Sequence, residues 1–232
     1  MTIELFDAAQ RLIRGRRATR AFLPDPVPDE TIEAVFALAG AAPSNSNAQP
    51  WQVEVVSGDA RDELAEALLS AHGAGRRTVD FPYDDSIYSP VQQRRRAAFG
   101  ATLYSALGIN RDSDELRAAY DAKSLGFYGA PHVALLYAPE SGDPRLTADV
   151  GMYAQTLLLA MTAHGVASCP QALLSFYADT VREVLGVTGG KLLFGISFGY
   201  ADPAAEINAV AVGREPLGET TRFHQFRRRL AE

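Results

Sequence analysis

R-G-R-R-A-T-R-A-F (residues 14–22) and A-P-S-N-S-N-A-Q-P-W (residues 42–51) are the stretches on which the reading of this chain turns. Guanidinium groups present a planar fork of donors that meets two phosphate oxygens at once. Asn and Gln side chains offer a donor and an acceptor together, which suits the edge of a heteroaromatic ring. The first stretch is suited to hold a charge, the second to read a ring. Residues 11–20 carry Arg11, Arg14, Arg16, Arg17 and Arg20 with no acid among them, in a chain whose formal net charge is -6. Each stretch alone also has an ordinary reading. Arg is this chain's general cation, since Lys occurs only at Lys123 and Lys191, and Pro, Ser and Asn are common turn residues. Their joint occurrence, in this order and followed by Trp51, favours the paired reading.

Working outward, residues 2–14 predict a helix with Ile3, Phe6, Leu12 and Ile13 on one face, ending before Gly15. Asp29 is suited to cap a second helix, in which Ile32, Val35, Phe36 and Ala39 repeat at helical spacing up to Gly40. Strands are expected over 52–57, 132–138 and 192–200, and helices over 59–72, 90–107, 113–124, 147–164 and from about 176. Ser168 to Leu173 reads as a turn, and the tail after Asp202, with Pro203, Pro216 and Gly218, as extended chain. Strands and helices mix without βαβ alternation, which indicates an α+β fold. No linker or repeat divides the chain, so a single domain over 1–232 is expected, with the irregular region at about 72–126 as a lid or insertion.

Composition narrows the function. At 47% hydrophobic and 22% charged residues the chain is an ordinary globular one, and its acidic balance opposes a nucleic-acid surface. The apolar stretch from Met152 to Ala163 is interrupted by Gln155, Thr156 and Thr162, short of the roughly 18 residues of a membrane span. The first ten residues lack a signal peptide's pattern, and the single Cys169 cannot form an intramolecular disulfide, so a cytoplasmic location is expected. His72, His132, His164 and His224 show no metal-ligand spacing, so no metal site is expected, and Cys169 reads as a small buried residue. Arg222, Arg227, Arg228 and Arg229 alternate with Phe223 and Phe226 like the solvated end of an amphipathic helix. G-A-G-R-R-T (73–78) lacks the third Gly of a dinucleotide fingerprint. G-I-S-F-G (195–199) fits a nucleophile elbow, which makes a serine hydrolase using Ser197 a rival reading, although Asp202 and Pro203 follow where that motif needs a helix. A non-catalytic flavin- or ligand-binding module is a second rival.

Several stretches taken together resemble the nitroreductase family: R-R-A-T-R-A-F (16–22), P-S-N-S-N-A-Q-P-W (43–51), F-Y-G-A-P-H (127–132), S-C-P-Q-A (168–172), and F-G-I-S-F-G-Y-A-D-P (194–203) continuing to G-R-E-P-L (213–217). The resemblance implies a nitroreductase-like fold, a central mixed sheet flanked by helices in an intertwined homodimer, with FMN at each of two sites between subunits. It implies an oxidoreductase in which NAD(P)H delivers hydride to flavin N5 and leaves, and a small aromatic, quinone or nitro-type acceptor takes its place. By this resemblance Arg16 and Arg214 hold the phosphate, and Arg17 and Ala18 contact the cofactor. Arg20 lies at the pyrimidine end of the ring, where it tunes the flavin by stabilising developing negative charge. Pro43, Ser44, Asn45 and Asn47 approach from the partner subunit, and Pro170, Gln171 and Ala172 pass near N5. No catalytic acid, base or nucleophile is assigned, because the flavin carries the chemistry. Ala18 stands where the family often has Ser, which removes a hydrogen bond worth about 0.5–1.5 kcal/mol, small beside the charge-assisted phosphate contacts. Phe81, Tyr83, Tyr88, Phe99, Tyr104 and Tyr120 are candidates for stacking on an aromatic substrate.

Overall fold

An apolar run of strand length with no polar alternation must be covered on both faces. In the computed structural model, which describes residues 2–109 and 113–224, His132–Ala138 forms such a strand, β2, with every residue buried. Three further strands accompany it: β1 (Gln52–Ser57), β3 (Ala167–Gln171) and β4 (Lys191–Gly199). The described helices are α1 (Thr2–Gly15), α2 (Asp29–Ala39), α3 (Gly58–Gly73), α4 (Pro90–Ala106), α5 (Asp114–Leu125), α6 (Pro144–Ala163), α7 (Ala178–Leu185) and the short α8 (Leu217–Thr220).

Side chains alternate across a strand, and β2 feeds two cores in that way. Val133, Leu135 and Tyr137 join Leu64 and Leu68 of α3, Leu125 of α5 and Val181 of α7. Ala134, Leu136 and Ala138 join Val35 and Ala39 of α2 and Leu157 and Met161 of α6. The sheet is therefore the middle layer, with helices on both faces, as expected for the α+β class. Asp143 accepts a hydrogen bond from the Arg145 N–H, and Pro144 occupies the first turn of α6, the pairing that suits a helix start.

The strand order is β1-β2-β4-β3, and every pair is antiparallel. The mixed character implied by the resemblance is confined, among the described residues, to two isolated parallel bridges, Ala18 to Ser168 of β3 and Thr78 to Tyr177. The chain at Ala18 does not extend into a ladder because its next donors diverge: Thr19 N–H reaches Ser168 O, Phe22 N–H reaches Tyr128 O and Leu23 N–H reaches Tyr200 O. β3 was expected as a turn. Pro170 hid it, since Pro donates no ladder hydrogen bond; at the sheet's edge that loss is tolerated. Among the described residues no helix is long and apolar enough to cross a membrane, and no group of three His, Cys, Asp or Glu side chains could hold a metal ion. The basic tail positions Phe226, Arg227, Arg228 and Arg229 lie outside the described residues.

His132 joins the loop before α2 to the sheet. Its Nε2 accepts from the Val27 N–H at 2.9 Å, its Nδ1 lies 2.6 Å from Ser57 Oγ, and its ring stacks on Phe198 at 5.0 Å. A backbone N–H can only donate, so Nε2 is unprotonated and Nδ1 carries the proton toward Ser57. Burial pushes the His132 pKa below its ordinary value, with Asp29 pulling weakly against it. The unfolded chain thus binds a proton below about pH 6.5 that the folded chain resists, so this group's stabilisation is present above that pH and is lost as pH falls through it. His132→Gln is expected to cost about 1–3 kcal/mol near neutral pH, because it disturbs a buried backbone donor. Urea midpoints at about pH 7.5 and about pH 5.5 should fall more steeply for the wild type than for the variant; parallel falls would refute the assignment.

Candidate functional site

The Arg stretch reaches its place by docking on the sheet. Ala18 bridges Ser168 of β3, and the Thr19 N–H donates to Ser168 O at 2.9 Å. The next residues are tied to the C-terminal part of the chain by Asn208, whose Oδ1 accepts from the Arg20 N–H at 2.8 Å and whose Nδ2 donates to Ala21 O at 2.9 Å and Asp202 O at 3.0 Å. Arg16 and Arg20 are half-buried and Arg17 is exposed. The Arg20 guanidinium donates to Ala18 O at 3.3 Å and lies 5.8 Å from the centre of the Phe99 ring. Among the described residues none of these three arginines has a carboxylate partner. Cations held in place in this way are suited to an anion.

Beside them opens a cavity of about 1050 Å³, bounded by Arg20, by Cys169, Pro170, Gln171 and Ala172, by Phe99, Leu103 and Tyr104 of α4, by Tyr120 and Ser124 of α5, and by Tyr128. That is ample for a ligand site, for which about 300–1,000 Å³ is usual. Burial pushes the Cys169 thiol up to about 11, against the pull of Arg20 and Arg16, so it stays protonated and unreactive. Pro170 and Ala172 are exposed, while the Gln171 side chain turns inward. Its Nε2 donates to Ser124 O at 2.6 Å and to Ser124 Oγ at 3.0 Å, and its Oε1 accepts from Ser197 Oγ.

That last contact removes the hydrolase reading. Ser197 is fully buried inside β4, and its hydroxyl is spent on Gln171. The strand continues to Gly199 where an elbow would turn into a helix. His132, on the adjacent strand, commits both ring nitrogens to Val27 and Ser57.

Tyr128 is aimed at the cavity by a strained turn. Phe127 and Tyr128 have φ of 59° and 55°, unusual for bulky residues. Arg61 of α3 holds the turn from both ends, donating to Gly126 O at 2.9 Å and Ala130 O at 3.0 Å and lying over the Phe127 ring at 5.2 Å. The Tyr128 hydroxyl then donates to the Tyr120 hydroxyl at 3.1 Å. Sequence reasoning missed Arg61 and Asn208. Neither has a local signal, because their partners lie 65 and 69 residues away for Arg61 and 188 residues away for the Asn208–Arg20 bond.

The amide loop is fixed elsewhere. The Asn45 N–H donates to Oδ2 of the buried Asp149 of α6 at 3.0 Å, and the Gln49 N–H donates to Ser44 Oγ at 2.9 Å. Ser46, Asn47 and Gln49 adopt positive φ of 52°, 55° and 47°. Pro43, Asn45 and Asn47 are exposed, Ser44 is half-buried, and among the described residues the side-chain amides of Asn45 and Asn47 bond nothing within the chain. Arg214 is exposed on the tail and donates to Val212 O at 3.1 Å and Gly213 O at 3.0 Å, while its neighbour Glu215 pairs with Arg95 of α4 at 3.3 Å. Within one chain, then, the Arg16–Arg20 segment meets Pro170, Gln171 and Ala172 at one sheet edge. No hydrogen bond or ion pair among the described residues joins Pro43–Asn47 or Arg214 to them.

Comparison with known proteins adds a second line of observation. The profile of the nitroreductase family matches residues 13–200. The chain is 64% identical over 222 residues to nitroreductase NfnB of Mycolicibacterium smegmatis, covering 96% of this chain and 95% of that protein. It is 37% identical over 229 residues to a 4-nitrobenzoate reductase of a Nocardioides species, covering 95% and 90%. A crystal structure of the FMN-dependent nitroreductase NfnB from Mycobacterium smegmatis in complex with NADPH superposes with a TM-score of 0.94, covering 95% of this chain and 100% of that one at 64% identity.

Asn208 is the fastener most open to test. Asn208→Ala leaves the Arg20 N–H without its acceptor and is expected to lower the unfolding free energy by about 1–3 kcal/mol. Asn208→Asp keeps that acceptor and loses the two donated bonds, so its denaturation midpoint should lie between those of alanine and wild type. Equal midpoints for all three would show that the tail is not fastened there.

Proposed function

The chain belongs to the nitroreductase family, and from that premise we propose that it is an FMN-dependent oxidoreductase that takes hydride from NADPH and passes it to a small nitroaromatic acceptor. The observation that carries the proposal is that Arg16, Arg17 and Arg20, which among the described residues have no carboxylate partner, lie in the segment that the Ala18–Ser168 bridge docks beside a cavity of about 1050 Å³ bounded by Arg20. NADPH is preferred to NADH as reductant because the relative of 64% identity was crystallised with it. A nitroaromatic is preferred among acceptors because the relatives of 64% and 37% identity are a nitroreductase and a 4-nitrobenzoate reductase. Both are reductases, which favours an enzyme over a binding module.

The residues present fit FMN. A dianionic phosphate suits unpaired guanidinium groups, and a flat ring suits a cavity bounded by Pro170, Ala172 and aromatic side chains. When bound, FMN supplies the two-electron chemistry that no side chain here provides. In this reading Arg16 and Arg214 hold the phosphate, Arg17 and Ala18 contact the cofactor, and Arg20 places positive charge at the pyrimidine end. Pro170, Gln171 and Ala172 border the ring, with Gln171 held from below by Ser124 and Ser197.

Pro43, Ser44, Asn45 and Asn47 serve the site of a second copy, which makes the enzyme a homodimer. Support comes from α1, whose Ile3 and Phe6 are 78% and 63% exposed, an apolar face that a partner would cover. Residues 1–232 act as one domain, with α4 and α5, in the stretch at about 72–126, as the cover over the acceptor. A cytoplasmic location belongs to the same reading.

The purified protein is expected to be yellow, to bleach with NADPH under anaerobic conditions and to recover its colour on addition of 4-nitrobenzoate. A colourless protein that stays colourless after incubation with FMN would defeat the proposal, and a yellow one that NADPH leaves unbleached would favour the binding module. Arg16→Ala and Arg214→Ala should each weaken FMN retention by roughly ten- to a hundredfold, the size of a lost charge-assisted contact. Unchanged cofactor content in both would sink the phosphate assignment. Size-exclusion chromatography with light scattering should give twice the mass of the chain; a monomer that retains FMN would remove the shared site.

A further inference from the structure

Two sets of hydrogen bonds lie behind the cavity wall, one joining Ser197, Gln171 and Ser124 and one joining Tyr128 to Tyr120. Ser124 O is a carbonyl and can only accept, so the atom of Gln171 facing it at 2.6 Å is Nε2, the donor. Gln171 Oε1 therefore faces Ser197 and must accept, which makes Ser197 Oγ a donor. Gln171 Nε2 also donates to Ser124 Oγ, which fixes the Gln171 side chain beneath the cavity wall. At the cavity itself Tyr128 donates to Tyr120. The Tyr120 oxygen has accepted one hydrogen bond, and its own proton is left for the cavity that it lines beside Arg20.

We propose that Tyr120, which lines the cavity beside Arg20, is the proton donor to the acceptor's oxygen, and that Tyr128, which donates to the Tyr120 oxygen, is the positioning residue that sets the direction of its O–H. The proposal rests on the nitroaromatic reduction put forward above. In that reaction the nitro group gains a hydride equivalent, two electrons with one proton, and one further proton. The further proton passes from the Tyr120 O–H to a nitro oxygen. The bond from nitrogen to that oxygen breaks, both hydrogens leave in water, and a nitroso group remains. The phenolate left on Tyr120 is held by the Tyr128 O–H and the nearby Arg20 guanidinium until solvent entering the cavity reprotonates it. Burial pushes the Tyr120 phenol above its ordinary value, with Tyr128 and Arg20 pulling against that shift, so it carries its proton at neutral pH.

The test separates the two half-reactions in Tyr120→Phe. FMN content and the rate of anaerobic bleaching by NADPH should match the wild type, while reoxidation of the reduced protein by 4-nitrobenzoate should slow by about 100-fold or more, the usual worth of a general acid. A solvent deuterium isotope effect on reoxidation should be smaller in the variant than in the wild type. The dissociation constant of 4-nitrobenzoate from the oxidised protein, read from the flavin spectrum without turnover, should rise by roughly two- to tenfold for one lost neutral hydrogen bond. Tyr128→Phe, which keeps the ring and removes the donor to Tyr120, should slow reoxidation by roughly tenfold and leave bleaching unchanged.

Reoxidation of Tyr120→Phe at the wild-type rate with the isotope effect intact overturns the proposal while leaving the function above standing. Loss of FMN or of bleaching in Tyr120→Phe overturns it in favour of a packing role. Failure of the wild type to bleach or to recover its colour removes the reduction itself, and the proposal with it.

Discussion

One backbone hydrogen bond, from Thr19 N–H to Ser168 O, decides where everything at the site lies. β3 is an edge strand, and an unpaired edge is a liability that a protein covers or interrupts. Here both devices operate within five residues of strand. Pro170 withdraws one donor from the edge, and the Ala18 segment covers the part before it. Because the covering segment belongs to an Arg-rich stretch, capping the sheet also delivers Arg16 and Arg20 to the mouth of the cavity. Structural need and ligand chemistry are met by the same few residues, so Asn208, which holds the segment down, bears on both.

The backbone departs from ordinary conformations in two places beside the proposed chemistry. The turn at Phe127 and Tyr128 and the amide loop at Ser46, Asn47 and Gln49 all carry positive φ without glycine. Such residues cost about 1–3 kcal/mol each and persist only where their surroundings over-determine them. The surroundings here are charged side chains from distant elements, Arg61 on the carbonyls of Gly126 and Ala130 and Asp149 on the Asn45 N–H. Hydrogen bonds to charged groups contribute about 1.5–3 kcal/mol each, so the two from Arg61 are of a size to offset the strain at Phe127 and Tyr128. Glycine would make either turn easier and leave it less defined. The side chains kept instead, Tyr128 above all, point where the cavity needs them.

The sequence made plain what depends on period and local chemistry. β1 and β2 fall on the expected residues, the helices from α1 to α7 lie within a few positions of theirs, and Arg20, Pro170, Gln171 and Ala172 line one cavity. β3 was hidden because a proline in a five-residue segment reads as a turn. The inward course of the Gln171 side chain could not be read, since its partners Ser124 and Ser197 are 47 and 26 residues away. G-I-S-F-G matched a catalytic pattern for the reason that makes it inert here: small residues beside Ser197 let the strand pack closely, and close packing buries the hydroxyl. A motif records which residues occur together, whereas reactivity depends on which side of a strand faces solvent.

The separation of the two opening stretches follows from the same layering. Ala18 and Phe22 pack in the core on the α3 side of the sheet, whereas Val27, Val35, Ala39 and Ala42 belong to the core on the α6 side. The chain therefore passes from one face of the sheet to the other between Phe22 and Val27, and α2 carries it along the far face to Pro43. Stacked layers lie about 10 Å apart, and a side chain of Asn45 or Asn47 does not reach through a packed core to a ligand held by Arg16. In the proposed function two sets of groups matched to the two ends of one molecule, one at the β3 edge and one following α2 on the α6 side of the sheet, serve that molecule together from two copies of the chain. Dimerisation in the proposed function is thus tied to the interior of the fold, in the alternation of β2 that places one set on each side.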